Sequence, residues 1–509
     1  MTVPHKSKPT SIAEKIFVLI AVCSAAAAMP LTFTGPAVAL PAISAELGGS
    51  PIAHNWVTNA FMLTFGSTLM AAGALADSYG RKRIFLCGLA AFILFAGGLA
   101  FSPDIIWFDS LRALQGFGSA AAFSGGMASL AQEFDGKERM RAFSLVGASF
   151  GIGLAFGPMA SGMMIEAFGW RAIFALVVGL AIIAFVFGAV FLTETRDPEA
   201  RGLDWPGAIS FTLALSLFTY GVLRVPESGW GDALTLGLIL GSALLMALFC
   251  FIEHLVKRPM LDLTLFRYPR FVGVQLLAAA PAYAFVVLLI LLPVRFVGVE
   301  RLSAVAAGQM MIALSGPLLI LPIAAGLLTR WLPAATICSV GLVISAAGLF
   351  WLAHIPVGSD HVALIAPLLT IGIGISLPWG LMDGLAVSVV PKERAGMATG
   401  IFSTTRVAGE GVALAIVSAV LSALTQSYLG TSHEATVAAQ RLVTGDLNGA
   451  GQALSGMGEL ELIRAYNSAF GLLLWFLTGI TILTAIVIFT FMGRGTGEAG
   501  EAAEESIVV

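Results

Sequence analysis

The chain has 509 residues, 58% of them apolar and 11% charged, with a mean hydropathy of +0.92. That is too apolar and too poor in charge for a soluble domain of average make-up, so the chain reads as an all-α protein that crosses a membrane many times. The net charge of −3 carries little information, because the placement of Lys and Arg across loops sets orientation rather than their sum. All four cysteines (Cys23, Cys87, Cys250, Cys338) lie in apolar runs without paired or metal-type spacing, so no disulfide or metal site is expected. Nor is a cofactor or a nucleic-acid partner.

Runs of about 20 apolar residues mark spanning helices. The first six fall near Ile16–Pro41, Asn55–Ala76, Ile84–Phe101, Ile105–Ala131, Ala142–Ala167 and Ala172–Leu192. The apolar run after Lys6, Lys8 and Lys15 could pass for a secretory signal, but its removal would leave an odd number of spans. Between the second and third spans lies Gly73-Ala-Leu-Ala-Asp77-Ser-Tyr-Gly80-Arg81-Lys82-Arg83. Three cations on so short a turn place it on the cytoplasmic side. Gly80 permits the sharp turn, and Gly73 is expected to let a neighbouring helix approach. The pattern G-x-L-A-D-x-x-G-R-K resembles the loop between the second and third spans of the major facilitator superfamily. That resemblance implies a gating role for Gly73, Asp77, Gly80, Arg81 and Lys82.

The fourth span carries Arg112-Ala-Leu-Gln115-Gly116-Phe-Gly118, similar to the superfamily's R-x-x-Q-G-x-G segment. Arg112 lies roughly 10 Å deep at 1.5 Å per residue and needs a partner. Asp109, three residues earlier on the same face, is the expected one. Arg112 then either tunes a proton-carrying acid or receives substrate, or forms a static pair. The fifth span reads Gly147-Ala-Ser-Phe-Gly151-Ile-Gly153-Leu-Ala-Phe-Gly157-Pro158-Met-Ala-Ser161-Gly162. Its glycine spacing allows close helix contact, and Pro158 permits a bend, so Gly153, Gly157, Pro158 and Gly162 are expected to form a pivot. The segment resembles the G-P-x-x-G-G antiporter motif, with Ser161 in place of one glycine. In the superfamily that motif implies export.

A charged connector from Glu194 to Arg201 leads to two further spans near Pro206–Leu223 and Ala233–Ile252. After a second connector with Lys257, Arg258, Asp262, Arg267 and Arg270 come six more. These lie near Phe271–Pro293, Ser303–Leu328, Leu332–Ala353, Val362–Val389, Ala395–Leu424 and Ala469–Phe491, making fourteen in all. With this topology the 27 Lys and Arg are cytoplasmic except Arg171, Arg224, Arg295, Arg301, Arg441 and Arg464 outside, and Arg112 and Arg406 within spans. Both termini are therefore expected in the cytoplasm. The organisation expected is a six-helix bundle over 1–193, connectors and two extra spans over 194–270, and a second bundle over 271–492 with a long outside loop at 425–468. An acidic tail, expected to be disordered, occupies 493–509.

Lys137-Glu138-Arg139 recurs as Lys392-Glu393-Arg394, and Gly73 to Asp77 is echoed by Gly326 to Arg330 at nearly the same offset. Two matches in register indicate duplicated six-helix halves around a midplane site, the major facilitator arrangement. The repeat also sets the start of the thirteenth span, after Pro391, across from Asp77. A helix N-terminus there would attract the carboxylate.

The span count and the linker Pro259-Met-Leu261-Asp262-Leu263-Thr-Leu265-Phe266-Arg267 resemble the fourteen-span drug:proton antiporters of that superfamily. One departure concerns the first span, where relatives usually carry an Asp and an Asn; this chain has Thr32 and Ala37. Thr32 and Gln115 remain candidates for the substrate cavity. Whatever that Asp does in relatives must be done elsewhere here or not at all; the candidate coupling acids are Glu410 and Asp383, with Asp109 behind them, and Arg406, four residues before Glu410, is its expected ion partner. Burial favours the neutral form of a carboxylate and a nearby cation the charged form, so such an acid can load and release a proton.

The expectation is a secondary carrier, not an enzyme, exporting amphipathic cationic or neutral compounds in exchange for protons. Its partners are small-molecule substrates, protons and the lipid bilayer of the cytoplasmic membrane. It is expected to act as a monomer, with a periplasmic adaptor if the source has an outer membrane. The absence of a G-x-x-x-x-G-K-[ST] loop argues against an ATPase. An uptake symporter of the same fold is the main alternative, and a membrane enzyme or sensor a remote one.

Overall fold

A computed structural model describes residues 12–134, 136–196, 204–256, 259, 261, 263–355, 362–388 and 395–493. The Lys392-Glu393-Arg394 half of the repeat, Lys6, Lys8, most of the connector after Arg196, and the tail beyond Gly493 lie outside them.

The first half comprises α1 (Ile12–Leu47), α2 (Pro51–Tyr79), α3 (Arg81–Leu99), α4 (Ile105–Glu133), α5 (Gly136–Phe168) and α6 (Ala172–Phe191). α1 packs on α5 and α6, while α4 is wedged between α2 and α3. Two more helices follow, α7 (Trp205–Ser228) and α8 (Ala233–Leu255). The second half holds α9 (Pro269–Val299), α10 (Ala304–Leu328), α11 (Ala334–Ala353), α12 (Val362–Ser388) and α13 (Ala395–Leu429). After α13 come two short helices, α14 (His433–Val443) and α15 (Leu447–Ala453), and then α16 (Glu459–Gly493). α9 is almost wholly buried at the centre of the second half.

Among the described residues, thirteen helices are long and apolar enough to cross a membrane. The predicted span outside that set is α4. At 29 residues it is as long as α2, but Asp109, Arg112 and Gln115 and its many glycines and serines dilute its apolar content. Helix starts follow local chemistry. Ser50, Asp104, Asp204, Asp232 and Ser303 each accept a backbone N–H at the first turn of the helix they precede.

Several helices depart from the apolar runs. α1 continues through Pro30, Pro36 and Pro41, and α16 starts ten residues before the predicted Ala469. α9 contains two π-helical turns, Ala282–Val286 and Arg295–Val299. α10 is interrupted by a 3₁₀ turn at Gly316–Leu319, where Pro317 lies. Inserted turns of these kinds alter the side-chain register of a long helix and bend it.

The two halves meet along two seams. In one, α2 crosses α13 so closely at Gly66 that a methyl there would overlap the Ala408 backbone. In the other, α5 lies against α10; a methyl at Gly162 would strike Ala304, and one at Gly308 would strike Met159. Small residues at these points let backbones touch, which is how helices gain packing in lipid. α7 covers the first seam, contacting both α2 and α13 through Trp56, Phe218, Val222, Leu223, Ala415 and Ala419, while α8 packs chiefly on α7.

Candidate functional site

The turn after α2 is built around Gly80, whose φ of 117° is available to glycine at little cost. α3 has no side-chain cap of its own. Instead Glu194, just past α6, accepts the backbone N–H groups of Lys82 and Arg83, each at 3.2 Å. A Cβ on Gly80 would collide with that carboxylate. The sequence offers Glu194 only as one of several connector charges. Asp77 binds within the turn, accepting from Arg81 Nε at 2.9 Å and Nη2 at 2.7 Å. Pro391 to Arg394, which lead into the α13 start that it was expected to face, lie outside the described residues. Gly73 differs from expectation: a Cβ there would meet nothing within 4 Å, and the close approach of α2 falls at Gly66 instead.

In α4, Arg112 is fully buried beneath the Phe61 ring, whose centroid lies 4.6 Å away. It does not pair with Asp109. Its Nε donates to the Val57 carbonyl and its Nη1 to Gln115 Oε1, each at 2.8 Å. The expected ion pair is thus replaced by a backbone carbonyl across the helix interface and by the next turn's amide. Arg112 Nη2, Gln115 Nε2 and Asp109 Oδ1 are buried without hydrogen-bond partners. Thr32 is buried, and its hydroxyl donates to the Ala28 carbonyl of its own helix at 2.8 Å.

The glycine face of α5 serves two neighbours. Gly153 sits on Ala27 and Pro30 of α1, and Gly157 on Thr34 and Leu31 of the same helix. Gly162 turns to α10, and Gly308 of α10 sits on Pro158 and Met159. The Ser315 hydroxyl of α10 donates to the Ala155 carbonyl at 3.2 Å, at the edge of the 3₁₀ turn. The seam is sealed at its far end by Glu166, which accepts the Val305 backbone N–H at 3.0 Å. Toward the other end it loosens: a Cβ on Gly151 would reach Leu318 only at 3.6 Å, and one on Gly147 would meet nothing. The α14–α15 turn adds to the seal. Gly445 there lies against Pro41 of α1 and Gly298 and Val294 of α9.

The remaining predicted residues converge where the halves meet. Arg406 of α13 is surrounded by Phe150 of α5, Trp379 of α12 and Phe402 of α13, at 5.9, 5.9 and 5.7 Å from the guanidinium carbon to the ring centroids. Its Nη1 meets Asp383 Oδ1 at 3.4 Å, and its Nε has no acceptor. The two partners differ in surroundings: the Arg406 side chain is 8% exposed and that of Asp383 61%. Glu410, one turn further along α13, is buried. It makes no ion pair with Arg406 within 4.0 Å, although Arg406 is the charge that acts on it. The sequence-predicted pair is therefore exchanged for Arg406–Asp383, because the guanidinium leans across to α12. The aromatic walls carried no distinguishing signal, since Phe and Trp are equally expected where a helix faces lipid.

The profile of the Major Facilitator Superfamily matches residues 20–414. Among curated proteins, the chain is 28% identical to the puromycin resistance protein pur8 of Streptomyces alboniger over 501 residues, covering 96% of this chain and 93% of that one. It is 29% identical to the multidrug resistance protein Stp of Mycobacterium tuberculosis over 391 residues, 76% of this chain and 72% of the relative. With the cephamycin export protein CmcT of Amycolatopsis lactamdurans it shares 30% over 401 residues, 75% and 80% of the two chains. Among solved structures, a bacterial homolog of the human lysosomal transporter Spinster, inward-facing and unoccupied, superposes with a TM-score of 0.62 at 14% identity. That superposition covers 95% of this chain and 98% of the other.

Proposed function

The chain belongs to the major facilitator superfamily, a transporter and not an enzyme, and we propose that it is a fourteen-span secondary carrier exporting amphipathic organic compounds, cationic or neutral, in exchange for protons. The relatives named for resistance and export support efflux. So does the glycine-proline face of α5, wedged between α1 of its own half and α10 of the other. Counting α4 with the thirteen more apolar helices gives the fourteen spans. The divisions at 193, 270 and 492 then separate two bundles and an inserted pair.

The observation that carries the reading is Arg406, one buried guanidinium in contact with Asp383 at 3.4 Å and one helical turn from buried Glu410, at the junction of the halves. With a proton on Glu410, Arg406 has Asp383 as its charged partner. Once that proton leaves, Glu410 competes for the same cation from one turn away on the same helix. Exchange of partners moves a buried charge between α12 and α13, and a difference of a few kcal/mol between two packings is enough to shift an access equilibrium. Gln115, Arg112 and Asp109 form a second polar cluster, and Thr32 faces the interior of the first half as a cavity residue.

The Gly80 turn, with its cations, belongs on the cytoplasmic side together with both termini, in the cytoplasmic membrane. The seal made by Glu166, Gly162 and Gly445 is then the outer one, and the loosening toward Gly147 opens the seam inward. The carrier works as a monomer, passing substrate to an adaptor where an outer membrane exists. Everted membrane vesicles test the reading: proton-driven accumulation of ethidium that collapses with a protonophore is expected. Accumulation indifferent to the protonophore removes the proposed coupling.

A further inference from the structure

Arg406 occupies a box that is better suited to a cation from outside the chain than to itself. Three aromatic faces stand within about 6 Å of the guanidinium, the range of useful cation–π attraction, and cages of this kind are what recognise organic ammonium groups. Phe150 belongs to the first half and Trp379 and Phe402 to the second, so an occupant touches both moving bodies at once. A fourth ring, Phe285 of α9, backs Trp379 at 6.1 Å. Yet Arg406 is poorly served there. Its Nε has no acceptor, and its contact with Asp383 at 3.4 Å is longer than the 2.7–2.9 Å of a good charge-assisted bond.

We propose that the Phe150, Trp379 and Phe402 box, with Asp383 at its exposed side, is the binding site for an aromatic or alkyl ammonium cation, held in this structure by Arg406 as a built-in stand-in. The proposal rests on the export reading and adds to it the substrate's charge and the means of exchange. Asp383 on α12 is the carboxylate in contact with Arg406, and Glu410 lies one turn along its own helix; α5 contributes the Phe150 ring.

When Glu410 is protonated, Arg406 remains with Asp383 and fills the box. When Glu410 loses its proton, Arg406 turns to it, and the box and Asp383 are released together to an incoming cation. In the first state the site holds one cation and one anion. In the second it holds two of each. One proton is thereby exchanged for one organic cation at constant site charge, without the two ligands ever sharing a carboxylate. An anionic substrate on Arg406 would have the opposite coupling, because it would need Glu410 neutral and would bind together with the proton.

The test is binding of radiolabelled benzyltrimethylammonium to the purified full-length protein by scintillation proximity. Arg406→Gln empties the box and is expected to bind the probe at least tenfold more tightly than wild type. Arg406→Lys, which keeps a cation in place, stays near wild type. Trp379→Ala weakens binding in both the wild-type and the Arg406→Gln backgrounds. Should Arg406→Gln not fold because Glu410 loses its counter-charge, Arg406→Gln with Glu410→Gln replaces it and carries the same expected gain. Unchanged or weaker binding in Arg406→Gln, alone or with Glu410→Gln, at a normal melting midpoint overturns the proposal, as does indifference to Trp379→Ala. Binding of benzoate that is lost on Arg406→Gln, with no gain for the ammonium probe, overturns it in favour of an anion site. Proton-driven ethidium transport that persists while box variants leave ammonium binding unaltered removes the site and spares the export reading. Ammonium binding that follows the box in a protein without proton-driven transport does the reverse.

Discussion

Glu166, near the end of α5, accepts a hydrogen bond from the backbone N–H of Val305 in the first turn of α10, joining the two halves at 3.0 Å. The carboxylate lies at the positive end of a helix from the opposite half, an interaction of about 0.3–1 kcal/mol that must break whenever this end opens. Glu166→Gln keeps an acceptor but removes the charge. The open population at this end should rise about 2- to 5-fold. Maleimide labelling of Ala37→Cys, with Cys23, Cys87, Cys250 and Cys338 changed to Ser, measures it; an unchanged labelling rate removes Glu166 from the seal.

The glycines of α5 are predicted to differ sharply in tolerance. Gly157→Leu and Gly162→Ala push side chains into Thr34 and into the Ala304 backbone, and each should abolish export. Gly147→Ala on the same helix meets open space and should retain most of it. Pro158→Leu should also abolish export by stiffening the bend. Equal activity across the set, in cells expressing equal amounts, contradicts a pivot at α5.

Asp77→Asn should impair transport at normal abundance. Its partner among the described residues is Arg81, a half-buried pair one turn apart that contributes about 0.3–0.5 kcal/mol. Loss of stability therefore cannot account for a transport defect. A mutant that transports at the wild-type rate would show that Asp77 has no role in gating.

The change Glu410→Gln should eliminate uphill transport and weaken binding of the ammonium probe, since the amide resembles the protonated acid and keeps Arg406 in the aromatic box. Were Glu410 no more than a counter-charge, its removal would leave Arg406 with Asp383 alone, and abundance would fall. The double change Arg406→Gln with Glu410→Gln separates the cases. Recovery of both abundance and uphill transport would make Glu410 a mere partner; recovery of abundance alone supports proton carriage. If Glu410, Asp383 and Asp109 are each dispensable for uphill transport, intramembrane coupling through these acids is wrong.

The spans were legible because a membrane demands long apolar helices, and the turn chemistry at Gly80 was legible because φ above zero calls for glycine. Partners were less so. A helix period shows which residues share a face but not which neighbour the face meets, and so Gly73 stood out by motif while the contact belongs to Gly66. Arg406 was expected to choose Glu410 by spacing along one helix; packing against α12 brought Asp383 nearer. Glu194 and Glu166 act on backbone N–H groups of distant segments, and no local pattern marks such a role. The first span was expected to end at Pro41, but that residue sits inside α1 as Pro30 and Pro36 do, and neighbouring helices can supply the backbone partners that a soluble helix would lack.

The α7 helix lies over the α2–α13 seam, and among the described residues nothing comparable lies over α5 and α10, where Ile152, Phe156, Met163, Ile320 and Ile323 are exposed. The repeat makes the halves near-equivalent, but this makes their flanks unequal. Parting α2 from α13 must drag α7 along or tear Trp56 and Leu223 from it, whereas parting α5 from α10 breaks the Glu166 and Ser315 hydrogen bonds with no inserted helix to carry. The inserted helices thus load one seam of the molecule and leave the other uncovered.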